Sequence, residues 1–151
     1  MKITFLGTGT SQGIPMIAVN HPVCLSENPK DKRLRSSIMV SWGNVNYIVD
    51  CGPDFRQQML RENVQSINGV LYTHEHSDHT AGMDDLRPFC YQMGEVPIYL
   101  DKRTLVSLQK RFEYIFETEN RYPGAPKVNP ILIDSTTSIA IKAYKKGWFN
   151  C

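Results

Sequence analysis

The chain has 151 residues, 41% of them hydrophobic and 21% charged, with a formal net charge of +2. That length suits one domain, and the apolar share is enough for a core. A charge this small argues for neither nucleic acid nor membrane, and apolar runs of about five residues are too short to span a bilayer.

The first apolar stretch, KITFLG (2–7), is β-prone and stops at a glycine, so it reads as an opening strand. It is too brief for a signal-peptide core. TGTSQGIP follows as a loop. From Met16 to Arg35 no period is visible, and the charge run KDKRLR (30–35) reads as a solvated surface segment or, alternatively, as a contact for phosphates. SSIMVSWGNVNYIVDCG (36–52) predicts two strands about a tight turn at Gly43–Asn44. PDFRQQMLREN (53–63) predicts a short helix, and INGVLYTH (67–74) a strand. VPIYLD (96–101) is a further strand. Leu105, Leu108, Phe112, Ile115 and Phe116 recur at three- and four-residue steps, which predicts one amphipathic helix over 102–116. ILI (131–133) and SIAIKAY (138–144) read as late strands. Mixed strands and helices of this kind make the fold α/β or α+β with a mixed sheet.

Cys24, Cys51, Cys90 and Cys151 are scattered without CxxC spacing, which suits a reducing, cytoplasmic setting rather than a disulfide framework.

The chemistry concentrates in LYTHEHSDHT (71–80), where three of the four histidines fall within six positions. Residues two apart on an extended chain share a side, so His74 and His76 can meet one point. A helical turn beginning there aims Asp78 and His79 at a neighbouring point. Imidazole nitrogen with carboxylate oxygen suits zinc, iron or manganese, and the spacing favours two metal positions side by side. Such a pair lowers the pKa of a shared water and clamps the oxygens of a scissile phosphodiester or acyl bond. Glu75 alternates to the opposite side and is not counted as a ligand.

THEHSDHTAG matches the HxHxDH motif of the metallo-β-lactamase superfamily. FLGTGTSQGIP and YIVDCGPDFRQQML resemble the first strand and the Asp-x-Gly turn of its phosphodiesterase branch. HTAGMDDLRPF is similar to the continuation found in phosphoribosyl cyclic phosphate phosphodiesterases. The resemblance implies an αββα sandwich and a dinuclear hydrolase using two divalent ions, Zn2+ or Mn2+. It places His74 and His76 on the first metal, Asp78 and His79 on the second, and Asp50 behind them as the acid that orients the metal loop. Turn chemistry alone offers another role for Asp50. Asp78 and Arg87 are expected to serve the reaction, with Arg87 holding a substrate phosphate bidentately. Asp84, Asp85 and Arg87 equally suit a solvated helix start. His21 and Cys24 fall where relatives carry a structural zinc site, but two ligands do not close a tetrahedron, and none is expected here.

Four ligands come from the cluster, whereas a two-metal site needs roughly three per metal. After His79 there is no histidine, although the superfamily pattern requires more ligands downstream. The expectation is therefore one domain over 1–151 that corresponds to the N-terminal half of the sandwich. Partial metal occupancy and an uncovered apolar sheet face, prone to homodimerisation or aggregation, follow. The expected substrate is a small phosphodiester, with nucleic acid less favoured. Thioesterase or lactonase chemistry on the same fold, and an inactive fragment, are the alternatives.

Overall fold

The computed structural model describes residues 1–119 and 121–136. The expected strand at 138–144 and Cys151 lie outside the described residues. Among the described residues six strands form one sheet in chain order: β1 (Lys2–Gly7), β2 (Ser37–Trp42), β3 (Val45–Val49), β4 (Gly69–Leu71), β5 (Val96–Leu100) and β6 (Val128–Leu132). The first three pair antiparallel and the last four parallel.

The antiparallel part follows from a two-residue turn. Trp42 pairs with Val45, and Gly43 between them adopts φ +56, a left-handed conformation that glycine takes without a Cβ penalty. The parallel part needs crossovers. Helix α2 (Phe55–Arg61) links β3 to β4. Between β4 and β5 run α3 (Ser77–Thr80), a 3-10 turn (Met83–Leu86) and α4 (Arg87–Met93). Helices α5 (Lys102–Arg111) and α6 (Glu113–Phe116) precede β6. An earlier single turn, α1 (Pro22–Leu25), lies in the excursion after β1. Because β3, β4 and β5 run parallel, their C-terminal ends deliver Asp50, residues 72–76 and Asp101 to one edge of the sheet.

The main core lies on the helix-covered face. Leu6, Ile48, Val70, Ile98 and Leu100 point from the strands against Phe55, Met83, Leu86 and Leu108. All are essentially fully buried, each side chain contributing about 1.5–3 kcal/mol by burial. The opposite face is also apolar. Val45, Tyr47 and Tyr99 are buried there by Trp42, Leu71, Ile131 and Ile133. Towards the β1 edge the same face becomes open. Ile3 and Phe5, paired with Val40 and Ile38, are 51% and 67% exposed. Among the described residues no helix is long and apolar enough to cross a membrane.

Three expectations need correction. The helix foreseen over 102–116 is broken at Phe112 (φ −122, ψ 42). Its periodicity still holds, since Leu108 and Ile115 are buried in the main core and Leu105, Phe112 and Phe116 pack against it. The strand foreseen over 67–74 is short, because after Tyr72 the chain leaves the ladder: the Thr73 amide donates to the Asp50 side chain instead. The charge run 30–35 is only half solvated. Lys30 and Lys32 are exposed, but Arg35 pairs with Asp54 at 2.9 Å and donates through Nε to Ser11 O, fastening the loop after β1 to the start of α2.

Candidate metal centre

Asp50 follows β3 with φ +64, a left-handed conformation that aspartate tolerates better than most residues. Its side chain is nearly buried and accepts from three groups. Thr73 N donates at 2.8 Å to Oδ1, Thr73 Oγ1 at 2.8 Å to Oδ2, and His79 Nδ1 at 2.7 Å to Oδ2. Thr73 Oγ1 also lies 2.9 Å from His74 Nδ1. A hydroxyl has one proton, and here it serves Asp50, so His74 donates through Nδ1 to the threonine oxygen. Asp50 thus sets the tautomer of His79 directly and of His74 through Thr73, leaving both Nε2 atoms with their lone pairs. These bonds join Asp50 to the turn on which the resemblance expects it to act.

The turn itself is built by close backbone approach. Cys51 N donates to His79 O at 2.8 Å, and Gly82 N to Cys51 O at 2.9 Å. A Cβ on Gly52 would stand 2.0 Å from Asp78 O, and one on Gly82 would stand 2.1 Å from Gly52 O. Only glycine permits this contact, which explains the pairing of DCG with HTAG. Burial pushes the Cys51 thiol well above its ordinary range, so this neighbour of Asp50 stays protonated and offers no thiolate.

The three imidazoles come together. Ring centroids of His74 and His76 are 4.6 Å apart, and those of His74 and His79 are 4.2 Å apart. Asp78 joins them through Oδ2, 3.1 Å from His79 Nε2. His79 therefore has a carboxylate oxygen at each ring nitrogen. With Nδ1 donating to Asp50, the Nε2 lone pair faces the Asp78 oxygen, and that contact calls for a cation beside the ring. A divalent ion next to Nε2 and Asp78 would meet that requirement, and the donor set suits one in kind. It does not suit one in number. Among the described residues no three His, Cys, Asp or Glu side chains are arranged to hold one ion together. Four donors from a single turn cover one side of a site.

Arg87 opens α4 with Pro88 behind it, as the helix-start reading requires. Its Nε and Nη2 donate to Asp84 Oδ1 at 3.1 and 2.6 Å, and Tyr114 donates to the same oxygen. None of these bonds reaches the histidines. Glu75 points away from them and pairs with Arg103. Its own backbone amide, then Arg103, hold its carboxyl below the usual range. His21 caps α1, accepting from Val23 N through Nδ1, and Cys24 is a buried free thiol. Residue-level reasoning missed Thr73, Thr80 and Arg111. The first two flank the cluster in sequence and could have been noticed as threonines beside a ligand motif; Arg111 carries no such signal.

Residues 45–145 match the family model described as the beta-lactamase superfamily domain. The chain belongs to this superfamily. A solved structure of a new diphosphatase from the PhnP family superposes with TM-score 0.77 at 38% identity, covering 87% of this chain and 50% of that one. A protein named octanoyltransferase from Porphyromonas gingivalis is 42% identical over 127 residues, which is 83% of this chain and 25% of that protein. Ribonuclease Z of Methanococcus maripaludis is 33% identical over 88 residues, 57% of this chain and 23% of the relative. The chain thus spans half of that solved structure and about a quarter of these curated relatives. The mixed α/β sheet with its helices agrees with the metallo-β-lactamase fold expected from the sequence.

Proposed function

We propose that this chain carries the histidine turn of a metal-dependent hydrolase whose substrates are phosphodiesters or related phosphate linkages. The observation behind the reading is the cluster of His74, His76 and His79, with His79 set between Asp50 and Asp78. His74, His76, Asp78 and His79 would hold divalent ions, zinc or manganese, and Asp50 would orient the imidazoles. Bound ions would supply Lewis acidity and a nucleophile at neutral pH. Asp78 would contribute negative charge beside such an ion. Arg87, already oriented by Asp84, would meet a phosphate oxygen through its free N–H groups.

The likeness to a diphosphatase and to ribonuclease Z supports a phosphate linkage. The octanoyltransferase name points to acyl chemistry instead, but the match covers only a quarter of that protein. Two measurements separate these. Equilibrium dialysis followed by elemental analysis should find zinc or manganese bound, and His76→Ala should lower it. Incubation with bis-p-nitrophenyl phosphate and, separately, a p-nitrophenyl acyl ester should release p-nitrophenol from the former alone. Hydrolysis of only the acyl ester would overturn the phosphodiester reading. Metal content unchanged by His76→Ala would overturn the site.

A further inference from the structure

Arg111, the last residue of α5, reaches back across the fold to the outer side of the histidine turn. Its Nη2 donates to Glu75 O at 2.6 Å and to Thr80 Oγ1 at 2.8 Å, and its Nη1 to Ser77 Oγ at 3.0 Å. Thr80 Oγ1 passes the contact on, donating to His76 O at 2.8 Å. The guanidinium lies 5.5 Å from the Phe112 ring centroid, which restrains its plane. Arg103, one helix face away, holds the Glu75 side chain.

The turn is therefore gripped from two sides. Asp50 and Thr73 hold the imidazoles of His74 and His79 from within. Between His74 and His76, the Glu75 carboxylate takes its own amide and Arg103, whereas the Glu75 carbonyl is fixed by Arg111. A planar fork with several donors can span a carbonyl and two hydroxyls, which a lysine ammonium cannot match in direction.

We propose that Arg111 is a positioning residue that sets His76 relative to His74, and so sets the affinity of the turn for a divalent ion. The inference rests on the metal reading above. It adds that the strength of the site depends on a residue more than thirty positions downstream, in the next strand–helix unit.

Cobalt(II), followed by its visible absorption, is the probe, together with 15N spectra of the three imidazoles without metal. Arg111→Ala should weaken cobalt binding about 10–100-fold, the range usual for residues that orient ligands, and should shift the His76 ring resonances. Thr80→Val, which removes one branch and keeps the arginine, should weaken binding in the same direction. Arg111→Lys should recover less than the full loss. Met59→Ala, on the buried face of α2, should lose stability but keep its affinity, which separates positioning from general destabilisation. Cobalt affinity within twofold of the parent in Arg111→Ala, with unmoved His76 resonances, would overturn the proposal. If the parent chain takes up no cobalt, the metal reading fails, and the imidazole spectra still decide the role of Arg111.

Discussion

Asp50 Oδ2 lies 2.7 Å from His79 Nδ1, and the same carboxylate accepts the amide and hydroxyl of Thr73. One nearly buried acid thus joins the end of β3 to the turn after β4. Asp50→Ala leaves three donors without their acceptor, and should cost about 3 kcal/mol, at the upper end for unsatisfied buried groups. Asp50→Asn accepts through one oxygen only and tolerates the same backbone angle, so it should fall between. Urea denaturation of both variants checks the order; equal stability of Asp50→Ala and the parent would contradict this account.

Gly52 and Gly43 offer a matched contrast. A Cβ on Gly52 meets the Asp78 carbonyl at 2.0 Å, whereas Gly43 has open space and only a positive φ to accommodate. Gly52→Ala should cost ~3 kcal/mol by forcing the two motifs apart, and Gly43→Ala about 1 kcal/mol. Thermal unfolding of the two single variants should show this difference in Tm.

Asp101 caps α5, its Oδ1 accepting from Thr104 N at 2.6 Å. That backbone amide holds its carboxyl below the usual carboxylate range. A folded-state pKa depressed below the unfolded value gives stability that is present above about pH 4 and lost as pH falls through the folded value. Asp101→Ala should cost about 1 kcal/mol near neutrality, and the gap should close in acid. Chemical denaturation of both proteins at pH 7 and pH 2.5 measures it. Since α5 carries Arg103 and Arg111, the loss should be accompanied by faster amide exchange in residues 75–80.

The open part of the sheet face carries Ile3 and Phe5. Apolar side chains of that size, continuous with Trp42, Leu71 and Ile131, invite another apolar surface. The chain should self-associate with rising concentration, and Phe5→Lys should shift it towards monomer. Light scattering after size exclusion, over a hundredfold dilution, should show a falling mass for the parent; a constant monomer mass at all concentrations would refute it.

Much of this architecture was readable from short stretches. Alternation and the Gly43–Asn44 pair indicated the β2–β3 hairpin, and the apolar run ending in THEHSDH located the site on a strand end. Local pattern failed where a distant partner intervened. The ladder stops after Tyr72 because Asp50 captures the next amide, and the helix after β5 breaks at Phe112 beside the arginine that grips the turn. Of helix α4 only a start at Asp84–Arg87 was read, as one of two alternatives, because a run of seven residues gives little period to follow. Arg33 stays exposed as the solvated reading expects, whereas Arg35 instead binds Ser11 and Asp54.

By itself the sequence determined which donors gather in one turn, because three imidazoles and an aspartate within six residues need no folding to be neighbours. The tertiary structure alone decided how they are aimed. Asp50, Thr73 and Arg111 act through hydrogen bonds that exist only once β3, β4 and α5 are packed side by side. Proximity along the chain is covalent, whereas direction in space comes from partners that the chain brings back from far away.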